Sequence, residues 1–293
     1  MIIDLNELSA GRRHNYLIYA IGPRPICFAS TIDAAGNPNL SPFSFFNIFS
    51  STPPILIFSP SRRVRDNTIK HTLENLLEVP ETVINILDYD LVQQASLSSC
   101  EYPKGVNEFV KAGLEPEPAT LIRPPMVRAA KIKIECKVVE IKPLGQQGGA
   151  GNLVICEALR MHIADALLDE HGMIDQRQLH HVGRLGGDWY CKVDESNLFL
   201  VEKPHARTGI GVDALPEPIR NSRILSGNDL GQLANVQELP AIDPSFGDDR
   251  LRSIFQYYSV NPEEMEKELH VYAAELLRQG KVKEAWQVLL ALN

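Results

Sequence analysis

Over its first two thirds this 293-residue chain alternates short apolar runs with turn-forming clusters, the pattern of a chain built from paired strands. Residues 24–33 read as a strand closed by the turn Asp33-Ala-Ala-Gly-Asn-Pro38. Residues 40–49 read as the returning half of a hairpin, and residues 54–60, with the core Ile55-Leu-Ile-Phe58, as a third strand. From Asn67 the period lengthens: Ile69, Leu73, Leu76 and Leu77 recur at helical spacing until Pro80 stops the helix. Thr82–Leu87 is short and β-branched, so it is predicted as another strand. Residues 90–120 carry two short helical patterns and a proline-rich passage. Residues 131–141 and 153–164 then alternate as long strands around Gly145-Gln-Gln-Gly-Gly-Ala-Gly151. That glycine run fits neither G-x-G-x-x-G nor P-loop spacing and no helix follows it, so it is expected to be a hairpin loop.

Short strands separated by turns predict a mainly β fold, an antiparallel barrel with helical inserts, rather than a doubly wound sheet. After Pro204 the pattern changes. Residues 205–247 are rich in Gly, Pro, Asn and Asp with little periodicity, and two helices follow, Pro262–Gln279 and Val282–Leu292. Met265, Leu269, Tyr272, Ala273, Leu276 and Leu277 form the apolar stripe of the first. The expected division is a barrel domain over residues 1–204 and an extension over 205–293, irregular to 247 and helical over 248–293 and ending in a helical hairpin.

Composition narrows the function classes. A net charge of -8, with only short basic runs at Arg62-Arg63-Val64-Arg65 and Lys131-Ile-Lys133, argues against a nucleic-acid surface. The 44% hydrophobic content is enough for a sizeable core. Five cysteines without a C-x-x-C pair point away from a disulfide framework or a zinc site, and toward a reducing compartment. Neither a signal peptide nor a membrane-length apolar run is visible, so a cytoplasmic protein is expected. The pair His180-His181 lacks a carboxylate at ligand spacing, no metal is expected, and no G-x-S-x-G supports a hydrolase.

Between Arg24 and Asn85, hydroxyl and amide side chains are interspersed among strand residues, where a pure core would be aliphatic. Such groups hydrogen-bond a flat heterocycle, and a basic, hydroxylated helix start holds a phosphate. Three segments carry a family resemblance: Asn39-Leu-Ser-Pro-Phe-Ser-Phe-Phe-Asn47 before Pro53-Pro54, Lys70-His-Thr-Leu-Glu-Asn-Leu76, and Gly183-Arg-Leu-Gly-Gly-Asp-Trp-Tyr190. Together they resemble the flavin reductase-like family over roughly residues 15–200. The resemblance implies an FMN-binding split β-barrel, FAD being possible, with NAD(P)H as co-substrate and a homodimeric assembly. It places Ser30, Thr31, Ser44, Phe45, Phe46, Asn47, Ser59, Ser61, Arg62, Lys70 and Thr72 along the flavin, with Arg63 as an alternative to Arg62. His181, Arg184 and Tyr190 fall to the second ligand. His71 stands where the family usually has Asp, which removes a negative charge beside the phosphate. No side chain is expected to act as nucleophile, because the cofactor carries the hydride chemistry. The implied activity is NAD(P)H-dependent flavin reduction. A non-catalytic flavin or haem module, a tight flavoprotein with another electron donor, and an interaction protein stay open beside it. Residues 205–235 are a further expectation, as a cover for the flavin site.

Overall fold

The structure, a computed structural model, describes residues 1–204 and 208–291. It divides into two compact units, Met1–Phe199 and Leu200–Asn293. The expected start of the extension at 205 and the expected helix end at Leu292 lie outside the described residues.

In the first unit, helix α1 (Ala10–Ala20) precedes β1 (Cys27–Ile32), β2 (Pro38–Phe43), β3 (Phe46–Ser51) and β4 (Pro54–Phe58). Helix α2 (His71–Glu78) leads to β5 (Glu81–Ile86), and α3 (Val92–Ser98) and α4 (Glu108–Ala112) follow. After the short strands β6 (Pro116–Glu117) and β7 (Met126–Val127) come the long pair β8 (Ile132–Pro143) and β9 (Asn152–Ile163). Among the described residues, seven strands pair antiparallel in the order β2-β1-β5-β8-β9-β4-β3. The fold is a split β-barrel with helical inserts and a C-terminal helical extension.

Closure follows from the connection between β2 and β3. These strands are the two edges of the sheet, yet only Ser44 and Phe45 separate them. The three Cα steps from Phe43 to Phe46 reach at most about 11 Å, whereas the edges of a flat sheet of this width stand about 28 Å apart. The sheet must therefore curl until its edges meet. The strand predicted over residues 40–49 is accordingly split: apolar alternation runs through the crossover, but backbone pairing does not.

Alternation along β1 divides the interior into two cores. Cys27 and Ala29 face Phe43, Phe58, Leu76 and Cys156 inside the barrel, while Phe28 faces Leu40, Phe109 and Val127 beneath α3 and α4. Every residue of β1 is buried for this reason. Helix α2 presses Leu73 and Leu76 into the barrel core, but Leu77, expected in the same stripe, is 64% exposed.

The second unit has its own core around the fully buried Trp286, whose indole N–H donates to Leu233 O at 3.2 Å. Its helices are α5 (Glu217–Arg220), α6 (Gly227–Ala234), α7 (Asp249–Tyr257), α8 (Pro262–Arg278) and α9 (Val282–Leu290). The predicted stripe of α8 is buried throughout. The passage expected to be irregular contains α6, started by a capping box in which Ser226 and Asp229 satisfy each other's backbone N–H. No helix among the described residues is long and apolar enough to cross a membrane.

Candidate functional site

The β2–β3 crossover, the end of β4 and the β8–β9 hairpin loop converge on one corner of the barrel. Ser59 N donates to Phe45 O at 2.8 Å, and the rings of Phe43 and Phe58 stand 5.3 Å apart. The loop leaving β4 is tied to the glycine run: Arg62 N donates to Ala150 O at 2.8 Å and Gly149 N to Arg62 O at 2.9 Å. Asn67 Nδ2 adds a bond to Gln146 O at 3.0 Å. Two glycines permit this approach. A Cβ on Gly148 would sit 2.9 Å from Val64 O and 3.0 Å from Arg63 O, and one on Gly151 would sit 2.6 Å from Ser59 Oγ. The glycine run is thus the hairpin loop its spacing predicts, and its lack of side chains lets it pack against the basic loop. Ser59 is only 9% exposed, and its hydroxyl has no hydrogen-bond partner among the described residues. A buried polar group left unpaired costs about 1–3 kcal/mol, so a site of this kind is built to be completed.

Charge gathers at the same corner. Lys70 precedes α2 without capping it, and its Nζ lies 5.8 Å from the centre of the Phe43 ring. Burial, then the neighbouring Arg63, lower the Lys70 pKa, with Glu101 acting in the opposite sense. Arg63 is oriented by Nη1 bonds to Thr68 Oγ1 at 2.9 Å and Ile69 O at 2.7 Å, while its Nη2 has no partner among the described residues. Arg62 is spent on the loop itself, donating to Asn67 Oδ1 at 2.7 Å and Asn67 O at 2.6 Å. A partly desolvated lysine beside a second cation, at the start of a helix, is suited to an anion.

The remaining expected flavin residues fall into two groups. Ser44 and Ser61 are half-buried with hydroxyls unpartnered among the described residues, Phe46 packs on the barrel core, and Phe45 is 40% exposed. Asn47 is exposed, and its Oδ1 accepts from Ile48 N at 2.8 Å. Ser30, Thr31 and Thr72 are instead buried among protein partners. Ser30 Oγ donates to Pro125 O, and Thr31 Oγ1 accepts from Asn75 Nδ2 at 3.2 Å. Thr72 Oγ1 donates to Asn39 Oδ1 at 2.7 Å, and Asn39 Nδ2 donates in turn to Glu108 Oε1 at 2.8 Å. The last three therefore brace α2 and β1 from within.

Beyond the barrel proper, β10 (Val182–Arg184) and β11 (Tyr190–Lys192) form a small hairpin, joined to the chain before β1 through Arg24 N to Arg184 O at 3.0 Å. Between this hairpin and α3 opens a cleft of about 430 Å³, with Tyr89, Arg184, Asp188, Tyr190 and Lys192 in its walls. The Arg184 guanidinium stands 4.5 Å from the Tyr190 ring centre, and Lys192 Nζ stands 4.6 Å from that of Tyr89. Arg184 and Tyr190 thus share one cleft. His181 lies outside its lining; its backbone bridges to Asp88, and burial lowers its imidazole pKa against the pull of Asp88. Tyr89 and Lys192 were not singled out by the sequence, because only the folded chain places them opposite Arg184 and Tyr190.

Helix α1 links the two places. The His14 ring lies 6.2 Å from that of Phe45, and a Cβ on Gly186 would overlap the Tyr19 ring.

The profile described as "Flavin reductase like domain" matches residues 20–183, more than half of the 293 residues. The chain belongs to the flavin reductase-like family. An uncharacterized protein of Halalkalibacterium halodurans is 36% identical over 206 residues, covering 69% of this chain and 97% of that one. Component B of nitrilotriacetate monooxygenase from Bacillus cereus has 30% identity and a TM-score of 0.64, covering 69% of this chain and 98% of that chain. A putative flavin reductase with a split barrel domain from Shewanella frigidimarina has 27% identity and a TM-score of 0.58, with coverages of 68% and 96%. The family match ends at 183, so the second unit lies outside it.

Proposed function

We propose that this member of the flavin reductase-like family binds FMN and acts as an NAD(P)H-dependent flavin oxidoreductase. The observation that carries the reading is the pairing of Lys70 with Arg63 at the start of α2, on the loop that leaves β4 at Ser59, whose buried hydroxyl is unpaired among the described residues. These donors fit a phosphate monoester: one compact cation, one guanidinium edge and one hydroxyl. The crossover residues Ser44 and Phe45, with Asn47 of β3, would flank the ring system, and Thr31 and Thr72 keep the strand and helix beneath it in register.

When bound, the flavin supplies the hydride-accepting chemistry. The protein's part is to position and to exclude water. Arg184, stacked on Tyr190, and Lys192, stacked on Tyr89, offer two fixed cations for the phosphate-bearing part of a nicotinamide nucleotide. A homodimer belongs to the same reading: β3 is a sheet edge, it presents Ile48 at 61% and Phe49 at 64% exposure, and α1 contains no buried residue. Anaerobic titration of the FMN-loaded protein with NADH and NADPH tests the assignment. Bleaching of the flavin bands by either nucleotide is expected. Bound flavin that stays oxidised would remove the nicotinamide from the reading, and no flavin binding would remove the whole of it.

A further inference from the structure

The corner assigned to the phosphate already contains a carboxylate. Glu101, in the loop between α3 and α4, stands 3.7 Å from Arg63 Nε and 2.8 Å from Arg65 Nη2. It comes from a part of the chain 36 residues away from Arg65. The same loop is fastened at a second point, where Lys104 Nζ meets Glu74 Oε2 of α2 at 2.9 Å. All three pairs are solvent-accessible, with side chains between 20% and 73% exposed, so each holds the loop only weakly. Nothing about the barrel core requires Glu101: it touches the basic loop and no buried residue of the barrel in any ion pair or hydrogen bond among the described residues.

Resting on the reading of this corner as a phosphate site, we propose that Glu101 is its resident counter-ion, which a phosphate dianion must displace or repel, so that the site discriminates ligands by charge. Without ligand, the carboxylate offsets the repulsion between Arg63 and Lys70. With a phosphate monoester beside those cations, it becomes an unfavourable neighbour of like charge. Glu101 therefore lowers affinity for the phosphorylated flavin while keeping the empty corner ordered. A like charge beside a phosphate dianion, in a site as solvent-exposed as the Glu101 ion pairs, gives an expected effect on the order of three- to tenfold in affinity.

The test compares FMN and riboflavin binding to the full chain by flavin fluorescence titration, for the wild type, Glu101→Gln and Lys104→Gln. The expected result is that E101Q binds FMN about three- to tenfold more tightly, leaves riboflavin within about twofold, and loses its advantage at high salt. K104Q loosens the same loop without changing the charge at the corner, and is expected to leave FMN affinity unchanged. If the wild type prefers FMN over riboflavin but E101Q binds FMN no better, the counter-ion role fails and the phosphate site stands. An equal gain in K104Q would assign the effect to loop release and also overturn the role. Should the wild type bind FMN and riboflavin equally, the phosphate reading itself falls, and the role of Glu101 with it.

Discussion

Lys70 Nζ lies 5.8 Å from the centre of the Phe43 ring, and among the described residues no carboxylate comes within ion-pairing distance of it. Its ammonium therefore rests on an aromatic face in a partly buried position, with Arg63 and Glu101 as charged neighbours of opposite effect. Removing that charge while keeping the apolar stem should be tolerated by the fold and felt by the ligand. Lys70→Met is expected to weaken FMN binding about ten- to a hundredfold, the range of a lost charge-assisted hydrogen bond, and to leave riboflavin nearly unchanged. Paired titrations of the two flavins check this; equal losses for both would place Lys70 away from the phosphate.

The contact between Gly151 and Ser59 predicts a coupled pair of substitutions. A methyl at position 151 would meet Ser59 Oγ at 2.6 Å, a side-chain atom that can be removed. Gly151→Ala alone should lower stability by about 1–3 kcal/mol through overpacking, and Ser59→Ala in the same chain should recover much of it. Gly148→Ala meets backbone instead, at Val64 O and Arg63 O, so no single side-chain deletion should rescue it. Denaturant midpoints of the three single variants and the double variant decide the matter. Additive effects at 59 and 151 would contradict the packing.

Arg184 gives a prediction that separates the cleft from the anion corner. Its guanidinium lies over Tyr190 and, among the described residues, makes one hydrogen bond, from Nη1 to Trp189 O at 3.3 Å. Arg184→Gln should raise KM for the nicotinamide nucleotide about tenfold or more, with the FMN dissociation constant unmoved. A change in FMN affinity of the same size would mean that the hairpin serves the flavin and not the second ligand.

The elements that were legible in the sequence are those whose apolar period and stop signals agree locally. Ile69, Leu73 and Leu76 before Pro80 announce α2, and the alternation on either side of the glycine run announces β8 and β9. Where they disagree, the reading failed. Apolar residues continue through Ser44 and Phe45, so nothing local marks the point where the chain leaves one sheet edge for the other. Helix α6 contains Gly227 and Gly231, which are poor helix formers, and rests on the Ser226–Asp229 capping box and the burial of Leu233. The candidate site divides the same way. Lys70 and Ser59 stand in recognisable segments, but Asn39 finds Glu108 across 69 residues and Arg65 finds Glu101 across 36. Such polar partners have no period, and only the folded chain brings them together.

Glu135 is the clearest case of such a partnership, and it makes the stability of the first unit depend on acid. This carboxylate on β8 is 0% exposed. It accepts from Leu121 N at 2.6 Å, from Thr120 N at 3.1 Å and from the Thr120 hydroxyl, and lies 2.7 Å from His162 Nε2. Burial pushes its pKa up, but the Thr120 hydroxyl, His162 and the backbone N–H groups outweigh burial and hold it at about 2, below the usual 4.5. A depressed carboxylate contributes stability that is fully present above its unfolded pKa and is lost as pH falls through its folded one. The loss therefore runs from about pH 4.5 to about pH 2, and a shift of this size is worth about 3 kcal/mol. Glu135→Gln, which keeps the shape and removes the charge, should lower stability at pH 7 by a similar amount and flatten the profile across that window. Hydrogen exchange of the first unit's amides, measured on both proteins between pH 7 and pH 3, reads the difference. Parallel profiles would show that the Thr120–Ile122 turn is held by packing and not by this carboxylate.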